Sequence, residues 1–367
     1  MKRKAIREAI AGGLAALMVM FVLGGWALFA PLLRAANSVE KLEDGLYALD
    51  FAGDDGFDRF LEQGGAASEK ELAEYLVSFL SRGLYKPGGE LPAGGFGCSA
   101  IYTQDANGVY FFGRNYDWAE CRALIVHSKP KNGYESISTC CLDFLGFEED
   151  FAPDGSMAER MRSLAAIYVP LDGMNSAGLV VADLMAGDEE ETHQRTEKPD
   201  LTTTTAIRLL LNRAANVDEA VELLRQYDMN SSLDFAHHLA LADAEGNSVV
   251  VEYVNGEMLV EEARIVTNHY LAKSEKRGVG SAQSHLRYEM LAAYNEPAGE
   301  REVRHLLQSV AQGNLPRIDG SYDKTMWSIV YCPEGRCADF YFKEKYRQSY
   351  LLTLSDGAGF LTRSDAP

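Results

Sequence analysis

Gly95-Phe96-Gly97-Cys98-Ser99-Ala100-Ile101-Tyr102-Thr103 leads into Asp105-Ala106-Asn107-Gly108, and Val109-Tyr110-Phe111-Phe112-Gly113-Arg114-Asn115-Tyr116-Asp117-Trp118 follows. Two strand-like runs around an Asn-Gly turn predict a β-hairpin. The start of its first strand then lies beside the end of its second, so Cys98 approaches Arg114–Asp117 across the ladder. Arg114 and Tyr116 share one face and Asn115 and Asp117 the other, unless a bulge intervenes. A glycine- and proline-rich stretch, Lys86–Gly95, precedes the hairpin and breaks regular structure. If the Gly97–Cys98 bond is cut, the thiol becomes a chain terminus. The freed α-amine, with an ordinary pKa near ~8, can then act as base for its own side chain. Taken singly, each feature has a plainer reading: a buried cysteine, a surface ion pair, an ordinary linker.

Upstream, Ser68-Glu69-Lys70-Glu71 is a capping box, followed by Leu72, Tyr75, Leu76, Phe79 and Leu80 at helical spacing. That helix carries an apolar face and must pack on something. At the amino terminus, Lys2, Arg3, Lys4 and Arg7 precede an uncharged apolar run from Ala9 to Leu33. As a helix the run spans ~37 Å, which suits one bilayer crossing with the positive end in the cytoplasm. The expectation is a basic end plus transmembrane anchor over residues 1–34, a stalk or helical pro-segment over 35–97, and a catalytic domain over 98–367. The protein is then single-pass in the cell membrane with the catalytic part outside. The alternatives are secretion after a signal peptide is cut near Ala35-Ala36, or a buried core helix.

Downstream of the hairpin, strand-like runs cover 123–127, 136–141 and 179–184. Thr202–Arg225 reads as one amphipathic helix, and a meander covers 238–242, 248–253, 258–261 and 265–268. Helices over 280–293 and 302–312 precede a hairpin of 328–332 with 338–342. Antiparallel strands with helices between them imply an α+β layered body.

The net charge of the 367-residue chain is −19, which repels phosphate backbones and argues against nucleic acid as a partner. No Cys-x-x-Cys pair or His-Glu-x-x-His helix is present, so no metal site is expected, and chemistry on a terminal cysteine needs no organic cofactor. Export permits disulfides: Cys332 with Cys337 across a turn, and Cys121 with Cys140 or Cys141. Composition leaves a homo-oligomer open.

From Cys98 to the carboxy terminus the chain resembles the choloylglycine hydrolases, or linear amide C–N hydrolases, of the N-terminal-nucleophile superfamily. The likeness rests on Cys98-Ser99-Ala100-Ile101 with Gly113-Arg114-Asn115-Tyr116-Asp117-Trp118, and on Asn175-Ser176-Ala177-Gly178-Leu179. Val266-Thr267-Asn268-His269 and Arg287-Tyr288 complete it. The Gly-Cys and Thr-Asn-His elements are also similar to the acyl-CoA:6-aminopenicillanate acyltransferase group.

The resemblance implies a four-layer αββα sandwich that hydrolyses the linear amide of a small N-acyl substrate after autocatalytic cleavage at Gly97–Cys98. It makes Cys98 the nucleophile and its α-amine the base, held by Asp117. Arg114 would favour the thiolate, Asn268 would donate to the oxyanion, and Arg287 would complete the charge network. A main-chain N–H near Met185 would be the second oxyanion donor. Bile salt hydrolases carry Asn there, so Met185 departs from their pattern and puts steroid conjugates in doubt. Three rivals stand beside this reading. One is an acyltransferase with the same acyl-cysteine; another is a thiol hydrolase pairing uncut Cys98 with His127 or His269. The third is an inactive membrane-anchored binding protein.

Overall fold

The computed structural model describes residues 29–81, 97–118, 120–145, 151–187, 190–232, 235–314, 324–354 and 359–365. Strands β1–β18 and helices α1–α8 are numbered along the chain. The hairpin forms as its sequence predicts, from β3 (Gly97–Gln104) and β4 (Tyr110–Trp118), in unbroken register from Gly97 opposite Asp117 to Gln104 opposite Tyr110. Asp105 closes the turn: its carboxylate accepts from the N–H groups of Asn107 and Val109, and Gly108 takes φ 91°. No bulge separates Cys98 from its neighbours on β4.

That hairpin sits in a seven-stranded sheet. β14 (Ile265–Val266) flanks β3, and β15 (Lys324–Cys332), β16 (Cys337–Phe342), β17 (Gln348–Thr353) and β18 (Leu361–Asp365) continue beyond β4. A second sheet has nine strands. In order they are β1 (Glu40–Glu43), β2 (Leu46–Gly53), β5 (Ala123–Pro130), β6 (Ser136–Cys141), β7 (Asp172–Asn175), β8 (Val180–Met185), β11 (His237–Ala242), β12 (Ser248–Val254) and β13 (Glu257–Glu262). β9 (Asp200–Thr202) and β10 (Asp228–Asn230) form a separate parallel pair.

Among the described residues, strand alternation builds three large cores. Cys98, Ala100 and Tyr116 meet Ala123, Ile125 and Leu184 between the two sheets. On the far side of the nine-stranded sheet, Leu124, Val126 and Val181 meet helices α3 (Glu69–Ser81) and α5 (Thr203–Arg213). On the far side of the other sheet, Ile101 and Val330 meet α7 (Ala282–Ala292) and α8 (Glu300–Ser309). Each sheet is apolar on both faces because each is covered twice, which gives helix, sheet, sheet, helix.

Two sequence expectations change. The helix expected over Thr202–Arg225 is two, α5 and α6 (Val217–Leu224), because Ala214 turns extended and the Asn216 side chain caps the second from Glu219 N–H. Within the segment 35–97, the described residues 35–81 do not stand off the body as a stalk. Its residues 46–53 form β2, paired in parallel with β5 from Leu46 opposite Ala123 to Gly53 opposite Pro130. Leu72, Leu76 and Phe79 of α3 enter the helix-side core, as does Phe60 of α2 (Phe57–Glu62). The apolar run from Ala9 lies mostly outside the described residues. Its carboxy-terminal end belongs to α1 (residues 29–38), where Leu32 is fully buried in that same core. Among the described residues no helix is long and apolar enough to cross a membrane. α4 (Met157–Ser163) completes the helices, closed by a Ser156/Glu159 capping box.

The cysteines are free thiols. Alternation along β6 sends Cys140 to the helix-side core and Cys141 to the inter-sheet core with Cys121, so of the two expected partners only Cys141 faces Cys121. Cys332 and Cys337 stand directly opposite each other on β15 and β16.

Candidate active site

Cys98 is completely buried, its thiol on the inter-sheet face with Arg114 and Tyr116. Arg114 Nη2 lies 3.4 Å from Cys98 Sγ and donates at 2.8 Å to the Asp183 carbonyl oxygen. Its Nη1 pairs with the Asp172 carboxylate. Arg114 therefore spans the two sheets, from β4 to β7 and β8. Its guanidinium also lies 5.1 Å from the Tyr116 ring centroid, and Tyr116 stacks on Trp327 at 4.0 Å. Burial pushes the Cys98 thiol up to about 12, and Arg114 opposes that shift without overcoming it. The Asp117 and Asp183 carboxylates add to burial in raising it, and Arg114 is itself paired with Asp172.

Asp117 lies on the opposite face, beneath α7. Its Oδ1 accepts from Thr325 Oγ1 at 2.7 Å, and its Oδ2 from Arg287 Nη1 at 3.3 Å and Gln312 Nε2 at 3.2 Å. Arg287 is the hub, only 2% exposed. One guanidinium nitrogen, Nη1, reaches the Cys98 carbonyl oxygen, Ser99 Oγ at 2.9 Å and Asp117; the other reaches Asn268 Oδ1 at 2.8 Å. The same Asn268 oxygen accepts from Cys98 N–H at 2.7 Å. In the uncut chain Asn268 thus holds the Cys98 nitrogen, and Asp117 stands behind Arg287. Asn268 Nδ2 donates at 3.0 Å to Met185, so the expected end of β8 does come to Asn268, with its carbonyl rather than its N–H facing the amide.

The five predicted catalytic residues are brought together from four places in the chain: β3, β4, the segment after β14, and α7. Sequence reasoning gave no role to Asp172, Asp183, Gln312 or Thr325. Asp172 has no free valence: Thr139 Oγ1, Tyr331 OH and Trp327 Nε1 donate to it at 2.6, 2.7 and 3.1 Å beside Arg114. Asp183 was detectable as a carboxylate inside the apolar run Val180–Leu184; it pairs with buried His237 at 2.8 Å. Gln312 and Thr325 carried no signal, because only the fold brings them to Asp117.

Neither histidine of the thiol-hydrolase rival reaches the thiol. His127 bridges Asp50 and Glu135 at 2.8 and 2.7 Å, and His269 bonds Thr267 and Ser284. Among the described residues, Arg114 is the hydrogen-bond donor recorded for Cys98 Sγ. One trio, Cys121, Cys141 and Asp143, brings three donor atoms within 4.8 Å. It is one ligand short of a closed tetrahedral set, and Arg122 Nη2 holds Asp143 at 3.1 Å.

Burial, with the His285 ring stacked at 4.2 Å, then His238 and Arg287, lowers His269 to about 4; Glu252 opposes this weakly. A histidine kept neutral in the fold binds its proton more readily when unfolded, so stability should fall as pH drops from ~6.5 to about 4. Urea-unfolding midpoints taken across that window should show the decline, and His269→Gln should flatten it.

The four-layer body with a cysteine at the head of β3 has the architecture of the N-terminal-nucleophile hydrolases. A mutant of conjugated bile acid hydrolase from Clostridium perfringens shares it, with TM-score 0.50 and 16% identity over 74% of this chain and 97% of that one. The profile of the acyl-coenzyme A:6-aminopenicillanic acid acyl-transferase family matches residues 166–347. The penicillin V acylase of Pectobacterium atrosepticum is 29% identical over 110 residues, 26% of this chain. That match spans 29% of the acylase, well under half its length. Over part of its length the chain is thus similar in sequence to this acyltransferase family and to a penicillin V acylase, and its fold is similar to that of a conjugated bile acid hydrolase.

Proposed function

We propose that the protein is an N-terminal-nucleophile amidohydrolase that cleaves the linear amide of a small N-acyl substrate after the Gly97–Cys98 bond is cut. One observation carries the reading: Arg287 binds Cys98, Ser99, Asp117 and Asn268 at once, with the Cys98 nitrogen on Asn268. A buried cation that organises both the nitrogen and the neighbourhood of a thiol suits a terminal residue using both atoms.

In this scheme Cys98 Sγ adds to the substrate carbonyl carbon while the α-amine takes the thiol proton. Asn268 Nδ2 turns from Met185 to the oxyanion, a contact typically worth ~3–4 kcal/mol of barrier. The α-ammonium protonates the leaving amine, and water then hydrolyses the thioester. Arg114 positions the sulfur, and Asp117 fixes Arg287. The acyltransferase reading is kept as the second, because the matching family profile is that of an acyl-transferase; it replaces water by an acceptor amine.

We also propose that the amino-terminal run tethers the protein to the cell membrane with the catalytic body outside. With residues 29–33 in α1, Ala9–Leu28 is left, a run that as a helix would span ~30 Å, enough for the hydrocarbon core. After scission, residues 29–81 should stay bound through β2 and the helix-side core.

The test is the intact mass of purified protein, with a panel of N-acyl amino acids, acyl-homoserine lactones, penicillin V and conjugated bile salts. We expect a fragment beginning at Cys98 that co-elutes with its amino-terminal partner, and release of amine from at least one panel amide. Added amines should raise acyl transfer if the second reading holds. Active protein containing no such fragment overturns the scheme.

A further inference from the structure

The scissile bond is itself part of the sheet, and its two sides face different groups. Cys98 N–H and C=O point away from β4, to Asn268 Oδ1 and Arg287 Nη1. Tyr102 N–H points the same way, to the Arg264 carbonyl at 2.7 Å. In an antiparallel ladder the main-chain groups alternate, so those of Gly97 and Ser99 turn to β4, where Gly97 stands opposite Asp117 and Ser99 opposite Asn115. The Gly97 carbonyl oxygen, which becomes an oxyanion when Cys98 Sγ attacks, therefore faces the Asp117 N–H. Asn268 lies across the strand from it.

Gly97 is also braced from below. A Cβ there would lie 3.2 Å from Asp117 Cβ, 3.2 Å from Gln312 Nε2 and 3.3 Å from Asp117 Oδ2. Close approach, not backbone conformation, disfavours a side chain here. Gln312 is fixed in turn by Asp117 Oδ2, by Thr325 Oγ1 at 3.0 Å on its N–H, and by Gln283 Nε2 at 3.5 Å on its Oε1.

We propose that chain scission and substrate cleavage use one sulfur but two oxyanion donors, the Asp117 main-chain N–H for the Gly97 carbonyl and Asn268 for the substrate, with Gln312 a positioning residue that seats Gly97 for scission. This rests on the function proposed above. Cys98 Sγ bonds to the Gly97 carbonyl carbon, the C–N bond breaks, and the thiol proton passes to the Cys98 nitrogen. The result is a thioester and a free α-amine. Water then cleaves the thioester, releasing a Gly97 carboxylate and restoring the thiol.

The full-length chain is followed by intact mass, and turnover is read on the panel amide that the wild type hydrolyses fastest. Failure of the wild type to yield a Cys98 terminus defeats the function reading, and this inference with it. If the wild type matures, Asn268→Asp keeps an acceptor for Cys98 N–H beside Arg287 but loses the amide donor. Its turnover should fall by more than about 100-fold while scission slows by less than about tenfold. Gly97→Ala should slow scission by at least about tenfold at an unchanged unfolding midpoint, and adding Gln312→Ala should recover about threefold of it. Equal loss of scission and turnover in Asn268→Asp would refute two donors. No recovery in the Gly97→Ala, Gln312→Ala double variant would refute the bracing by Gln312.

Discussion

Cys98→Ala should leave a single uncut chain with no amide hydrolysis, a loss of about 10⁴-fold or more, the scale seen when a catalytic nucleophile is removed. The fold should survive, because Cys98 packs as a small apolar group between the sheets and alanine is a modest truncation there. Cys98→Ser should keep the geometry and lose most turnover, since a buried hydroxyl ionises far less readily than a thiol. Mass spectrometry and amine release on the same preparation separate the two effects. Full activity in Cys98→Ala would end the proposal.

Asp172→Ala should be the most damaging change outside the nucleophile. It strips a fully buried Arg114 of its carboxylate, which typically costs ~3–5 kcal/mol. Thr139, Trp327 and Tyr331 each lose an acceptor as well. Against a typical domain stability of ~5–15 kcal/mol, insoluble or unfolded protein is the expected result. The double variant Arg114→Met, Asp172→Leu should regain much of that stability, because removing both charges leaves neither unpaired. It should stay inactive. Urea-unfolding midpoints of the single and double variants measure the coupling; independent, additive losses would show that the pair does not act as one unit.

What the sequence revealed about the site depended on ladder geometry. The Asn-Gly turn fixes the register of the hairpin, and register fixes which residues flank Cys98; local chemistry sufficed. The faces followed from the two-residue period of a strand: Arg114 with the thiol, Asp117 behind it. The strength of Arg114's influence was not legible. The residue that pairs with it, Asp172, arrives from another sheet.

The amino-terminal segment shows the opposite case. Leu46-Tyr47-Ala48-Leu49-Asp50-Phe51, a dense run of apolar residues after an Asp-Gly turn, fell inside the expected stalk and is a strand. Its pairing was not readable, because a parallel partner 77 positions away leaves no local mark.

By itself, the sequence determined the alternating strands, the hairpin around Cys98 and the residue types a terminal nucleophile needs, since each depends on neighbours within a few bonds or one turn. The tertiary structure alone decided that Arg287 ties Cys98 to Asn268 and Asp117, that Gln312 lies under Gly97, and that residues 46–53 complete a sheet. Such contacts join positions far apart in the chain, and only the packing of four layers brings them within hydrogen-bond reach.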